Sequence, residues 1–441
     1  MSARRLGSAS LSALVVANMI GAGVFTTSGF ALADLHTPAR VLAAWLVGGL
    51  LALCGALSYG ALARRLPASG GEYLFLARLV HPALGCVAGW VSLLAGFTGA
   101  IAFAASAFEA YLLPAAARPA WLPADMLAIG VVLLAALLHG RATGLGAWAQ
   151  NALVALKLVV IVAFLAFAVL ASDPQAWQGA ALRGADGRIG AFEWGAFAQA
   201  VVWVSLSYSG FNAAVYVAGE AIEPRRSVPR AMLLGTLVVT ALYLALNAVF
   251  VLAPPPAAIA GHEDVATRAA QALGGDGLAL AMRLTIALAL ATSVSSMVMA
   301  GPRVYAQMAA DGVLPRVFAR ADAAPRQAVA LQAVLAIGVI LVTRLENLLS
   351  YLGFTLAVTS ALTVASLFVL ARREGIVPMR GWPWLPLAYV AATLVIALLT
   401  AWRRPAEPLA GLVTAALGVI AWWLARRRTR QAAGDSGSTG G

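Results

Sequence analysis

The sequence predicts an all-α polytopic membrane protein with about 12 transmembrane helices. Three observations carry that prediction. The 441 residues are 62% hydrophobic and 11% charged, where a soluble domain carries roughly 45–50% apolar and about 25% charged residues. Apolar runs near the roughly 20 residues that cross a bilayer recur along the chain, bounded by arginine, proline and glycine. The formal net charge of +12 comes from arginines between those runs, with no basic face or motif that would point to a nucleic-acid partner.

Taken in order, the spans fall at roughly 8–33, 40–63, 83–112, 125–140, 147–171, 196–219, 231–253, 277–301, 327–343, 347–371, 383–401 and 408–425. A cleavable leader is the alternative for the first run, since Arg4 and Arg5 precede it and Ala31-Leu32-Ala33 resembles a cleavage site. The run is too long for an h-region of about 7–15 residues, and many spans follow it. A short surface helix is expected in the polar stretch from His262 to Asp276, before the eighth span. With residues 1–7 cytoplasmic, twenty of the thirty basic residues fall in inner segments and eight in outer ones, so both termini are expected in the cytoplasm. Residues 426–441, ending in Gly and Ser, are expected to be a disordered tail.

The first span holds Gly21 and Gly23 near its centre, within Asn18-Met19-Ile20-Gly21-Ala22-Gly23-Val24-Phe25. Glycine is poorly suited to a helix interior. A break there frees backbone groups that lipid tolerates only against protein or a cavity. It would aim a half-helix N-terminus at an anion and free carbonyls at a cation. The competing explanation is close packing by small residues. A soluble nucleotide site is disfavoured, because no strand precedes these glycines and no third Gly is correctly spaced.

The sixth span is broken in the same way at Ser205-Leu206-Ser207-Tyr208-Ser209-Gly210-Phe211-Asn212. The two breaks recur at a period of five spans, and an odd number inverts the second copy relative to the first. Paired interruptions at matching positions point to a binding site between them. Residues 8–171 and 196–371 are therefore expected as two repeats of five helices, with 383–425 adding two more.

Lys157 is the only lysine in the chain, and it lies mid-span in the fifth run. A charge there costs at least about 2.5–3.5 kcal/mol on insertion scales, so it should face the bundle interior with a partner. Snorkelling to an interface is the alternative. The eighth span carries Thr292-Ser293-Val294-Ser295-Ser296. These hydroxyls either bond their own helix's carbonyls or face a cation at the first break. Cys54 and Cys86 support no disulfide framework. The scattered histidines His36, His81, His139 and His262 have no metal-ligand spacing, so no metal or cofactor is expected. A membrane enzyme lacks a catalytic constellation, and a channel lacks a filter motif or charged ring.

These motifs together resemble the amino acid–polyamine–organocation superfamily of transporters, nearest to its bacterial permeases and L-type exchangers. The resemblance rests on Met19 to Phe25 and on Leu66-Pro67-Ala68-Ser69-Gly70-Gly71-Glu72-Tyr73. It also rests on Tyr208 to Asn212 with Gly219-Glu220, and on Glu223-Pro224-Arg225-Arg226-Ser227-Val228-Pro229-Arg230. Pro302-Arg303-Val304-Tyr305 with Asp311-Gly312-Val313-Leu314-Pro315 completes it. It implies a LeuT-type fold of five plus five inverted helices with two more at the C-terminus. The implied activity is alternating-access transport of amino acids in the plasma membrane, by exchange or proton coupling, with cationic amino acids or polyamines as the alternative cargo.

The resemblance also implies site residues. The substrate carboxylate would meet backbone amides at Ala22 and Gly23, and the ammonium would meet carbonyls at Met19, Leu206 and Ser209. Ile20, Gly21, Ser207 and Gly210 complete the expected substrate site. Lys157, Ser295 and Ser296 match the place where sodium-coupled relatives hold an ion, so sodium dependence is not expected. Leu206 stands where many relatives carry an aromatic gate, which leaves Trp203, Tyr208 or Phe211 to cover the site. Glu109 and Glu220 fall near span ends, with capping or loop contacts expected. With no carboxylate mid-span, a neutral amino acid is the favoured cargo, with the bilayer and protons as further partners and no obligatory protein partner.

Overall fold

The computed structural model describes residues 6–113, 118–140, 145–171, 191–262, 264–319, 326–342, 345–403 and 406–437. Among them, seven helices are long and apolar enough to cross a membrane, and five shorter apolar helices bring the total to twelve. The only β pairing among the described residues is an isolated parallel bridge between Leu6 and Ala221.

The first span is two helices, α1 (Ser8–Met19) and α2 (Gly23–Leu35). Helical dihedrals end at Ile20, whose ψ is 84°. The second is α3 (Pro38–Arg65), opened by a proline in its first turn, where the missing N–H costs nothing. The connection that follows is partly helical, because α4 (Gly71–Leu79) starts inside the Leu66–Tyr73 motif. The third span is α5 (Pro82–Leu112), with a π-helical stretch at Ser92–Gly99.

α6 (Met126–Gly140) and α7 (Leu145–Ala171) follow. The sixth span is α8 (Trp194–Ser207), an irregular turn, then the single-turn α9 (Ala213–Tyr216). α10 (Pro224–Leu252) is the seventh span. α11 (Val265–Ala310) is interrupted at Gly274 and Gly275, whose dihedrals leave the helical region. The stretch before that kink is the short helix expected ahead of the eighth span. α12 (Arg326–Val342), α13 (Leu345–Glu374), α14 (Trp384–Arg403) and α15 (Ala406–Gly437) complete the chain.

The last helix differs from the expected tail, since it runs past 425 to Gly437. Arg426 to Ala433 are mostly Arg, Gln and Ala, which are good helix formers. The interior of the bundle is apolar and continuous, with Trp45, Tyr59, Tyr243, Phe75 and Phe250 fully buried. Large apolar side chains such as Leu134, Leu170 and Leu398 point outward, where lipid would replace water as their solvent.

Candidate functional site

The two breaks pack against each other through glycines. A Cβ on Gly23 would lie 2.3 Å from the Ser207 hydroxyl and 3.1 Å from the Ser207 Cα, so only glycine allows α2 to start this close to the end of α8. In the reverse sense, Gly210 has φ +98° and a Cβ there would lie 2.9 Å from the carbonyl carbon of Asn18. Each break is thus seated on the helix end of the other. The first amides of α2, at Gly23 and Val24, have no carbonyl one turn earlier to bond.

Carbonyls freed by the breaks are met by side chains from neighbouring spans. Lys157 of α7 is fully buried, and its Nζ donates to the carbonyl of Ile20 at 3.4 Å. The lysine therefore faces the bundle interior rather than an interface. Tyr243 of α10 donates its hydroxyl to the carbonyl of Met19 and lies 3.1 Å from that of Ser207. Met19 also accepts the Gly21 amide at 2.8 Å, so both its lone pairs are engaged. The Met19 carbonyl is therefore not free in this conformation, in contrast to the expectation that it holds the substrate ammonium. Ala22 accepts the amide of Phe25 at 3.0 Å and the Thr26 hydroxyl at 3.1 Å.

The eighth-span hydroxyls divide between two faces. The Ser293 hydroxyl lies 3.6 Å from where a Gly21 Cβ would be, and Ser296, three residues on, shares that face. Ser296 itself donates to the Ser293 carbonyl at 2.9 Å. Ser295, expected beside the first break, sits on the neighbouring face and bonds His139 of α6 at 2.8 Å.

A cavity opens beside the sixth-span break. Ser205, Leu206, Tyr208, Ser209, Gly210 and Phe211 line it, with Asn18 from α1. Gly21, Ala22 and Gly23 are not among the residues that line it. Ser92 and Gly96 of the π-helical stretch form part of its wall. Such stretches recur at functional sites, and hydrophobic periodicity gives no sign of this one.

Of the gating candidates, Trp203 meets Phe30 of α2 with ring centroids 6.2 Å apart. Tyr208 is buried between Trp45 and Tyr243, at 5.8 and 5.0 Å. Phe211 packs edge-on against Tyr59 at 5.4 Å. Leu206 is half-buried, and its carbonyl accepts the Ser209 amide at 3.0 Å.

The sequence motifs converge in space. The Ser69 hydroxyl accepts the Gly219 amide at 3.0 Å. Arg303 grips both oxygens of Glu220, at 2.6 and 3.2 Å. Tyr73 donates to Asp311 at 2.7 Å. Glu72, which reads in the sequence as a loop residue, is buried and lines the cavity. Its Oε1 accepts from the Tyr59 hydroxyl at 3.0 Å and from the Asn212 amide. Glu109 acts as a cap, accepting the amides of Leu127 and Ala128 at 2.9 Å each at the start of α6, together with Arg118. Among the described residues no group of three His, Cys, Asp or Glu could hold a metal.

The family model described as "Amino acid permease" matches residues 6–423. The "Large neutral amino acids transporter small subunit 2" of Oryctolagus cuniculus is 24% identical over 96% of this chain and 80% of its own length. An uncharacterized transporter of Mycobacterium tuberculosis is 28% identical over 99% of this chain and 94% of its own. The "Serine/threonine exchanger SteT" of Bacillus subtilis is 25% identical over 87% and 88% respectively.

Proposed function

This chain belongs to the amino acid permease family, and we propose that it exchanges neutral amino acids across the plasma membrane by alternating access around the first-span and sixth-span breaks. The family is one of transporters, not enzymes. The observation that carries the finer reading is the seating of the two breaks on each other, Gly23 against Ser207 and Gly210 against Asn18. Substrate enters that seam, with its carboxylate on the free amides at the start of α2. Its ammonium is taken by sixth-span carbonyls around Leu206 and Ser209, next to the cavity.

Neutral cargo is supported by the relatives named for large neutral amino acids and for serine and threonine. Lys157 on the Ile20 carbonyl supplies a fixed cation at the first break, so transport does not require sodium. Residues 8–171 and 196–371 act as the two inverted repeats, with both termini in the cytoplasm. The chain works without an obligatory protein partner.

Uptake of radiolabelled neutral amino acid into proteoliposomes preloaded with unlabelled substrate tests this reading. Strong stimulation by internal substrate, unchanged when choline replaces sodium, is the expected result. Equal uptake into empty vesicles, driven by an inward proton gradient, would replace exchange by proton symport. Displacement of the tracer by cationic compounds alone would overturn the neutral assignment.

A further inference from the structure

Glu72 lies on α4, outside the spans, yet only 4% of its surface is exposed. One carboxylate oxygen is well served, since Oε1 accepts from Tyr59 and Asn212. The other, Oε2, is buried with no hydrogen-bond partner. Tyr216 neighbours the same carboxyl, and its hydroxyl accepts from Asn212 at 3.0 Å. From α3 the facing titratable group is Tyr59, from α9 it is Tyr216, and from α14 it is Tyr389. α13 offers the neutral Ser360. On the neighbouring turn, Asp311, just past the end of α11, is taken up by Tyr73 and Arg78, and Cys86 of α5 lies beside Tyr73. No Arg, Lys or His among the described residues faces Glu72 or lines the cavity beside it.

An ionised carboxylate in that setting lacks compensation, because burial without a countercharge disfavours the charged form. What could neutralise it is decided by space. Oε2 is closed off from solvent, so an ammonium or a metal ion has no room there, whereas a proton needs none. A hydroxyl chain also leads away from the group. Tyr59 bonds Ser360 at 3.2 Å, and Ser360 bonds Tyr389 at 2.7 Å. Ser360 and Tyr389 both line the cavity.

We propose that Glu72 is a proton-binding site, holding a proton on Oε2 while α4 and the sixth-span end are closed together, and releasing it to water when they part. The site takes a proton and no other cation. The release half of the proposal rests on the alternating-access reading above. Burial raises the Glu72 carboxyl above the ordinary carboxylate range, and the hydrogen bonds it accepts offset only part of that rise. The sign follows by linkage. The closed arrangement is fully favoured below the ordinary carboxylate range and loses ground as pH rises through the raised value, so higher pH promotes opening.

Difference infrared spectroscopy of the full chain in liposomes tests proton occupancy without relying on transport. In a pH titration the native protein should keep the carbonyl-stretch band of a buried protonated carboxyl above the ordinary carboxylate range. Glu72→Gln should lack it, and Glu72→Asp, which keeps the acid if the amide variant folds poorly, should shift it. Identical bands in native protein and both variants would overturn the proposal. Counterflow tests the release step. Native exchange should speed up about threefold or more as pH rises through the raised titration of Glu72, above the ordinary carboxylate range, and Glu72→Gln should be flat. The same pH response in Glu72→Gln as in native protein would overturn that step. Absence of counterflow at any pH would count against the transport reading, and the infrared result would still decide proton binding.

Discussion

The ammonium of Lys157 lies 3.4 Å from the carbonyl oxygen of Ile20, wholly buried between the first and fifth spans. That carbonyl is free for it only because the first span stops being helical there. Under the proposed exchange function the lysine acts as a strut, its amine set against the partial negative charge at the end of α1. Replacing it by alanine removes a hydrogen bond from a charged group, a loss of about 1.5–3 kcal/mol, and leaves a hole beside the break. Counterflow by Lys157→Ala is expected to fall more than about tenfold. Lys157→Arg should not restore it, because the planar guanidinium does not fit a site shaped for an ammonium. Retained exchange in Lys157→Ala would rule out a strut at this position.

Tyr243 ties the two breaks from the side, with one hydroxyl serving the carbonyls of Met19 and Ser207. Phenylalanine keeps the ring packing against Trp45 at 5.3 Å and deletes only the donor. Two buried carbonyls then compete for other partners, at a cost of about 1–3 kcal/mol. Thermal unfolding of Tyr243→Phe in detergent should shift down, and its exchange should slow. An unchanged melting temperature together with native exchange would mean that the breaks hold each other without this bridge.

Gly23→Ala is expected to abolish exchange, since its Cβ would meet both the hydroxyl and the backbone of Ser207. Ser207→Gly in the same chain removes the Oγ and Cβ atoms of Ser207 but leaves its backbone α-carbon 3.1 Å from the new methyl group. The double variant should therefore recover part of the activity. Full activity in Gly23→Ala alone would show that the seam is wider in the working protein.

Glu109 works away from the seam, where it anchors the start of α6. Its carboxylate is buried and pairs with Arg118 while accepting the Asp125 amide at 2.8 Å and two amides of α6. Charge-assisted bonds at a helix N-terminus are the stronger kind. Glu109→Gln should lower stability by about 1–3 kcal/mol without changing substrate competition. A changed competition profile would place Glu109 in the substrate path.

Much of this arrangement is legible in the sequence because it is local. The glycines at 21 and 23, the second interruption near Gly210 and the isolated Lys157 each announce themselves by residue type within one apolar run. The role of Glu72 is not legible, because its burial is made by Tyr59 on the preceding span together with Asn212 and Tyr216, which lie far along the chain. Ser295 and Ser296 show the limit of motif transfer. One residue separates them in register, and that step turns Ser295 toward His139. The engaged Met19 carbonyl likewise depends on a tyrosine more than two hundred residues away.

If the seam between the two breaks is the binding site, it must hold both charged ends of an amino acid at once. Competition in counterflow separates the two ends, with three unlabelled compounds that share one side chain. These are the amino acid itself, its decarboxylated amine and its deaminated acid. Only the intact amino acid should displace the tracer, because each analogue leaves either the α2 amides or the sixth-span carbonyls unpaired. Displacement by the amine as effective as that by the amino acid would contradict this, since the amides at the start of α2 would then have no part in binding.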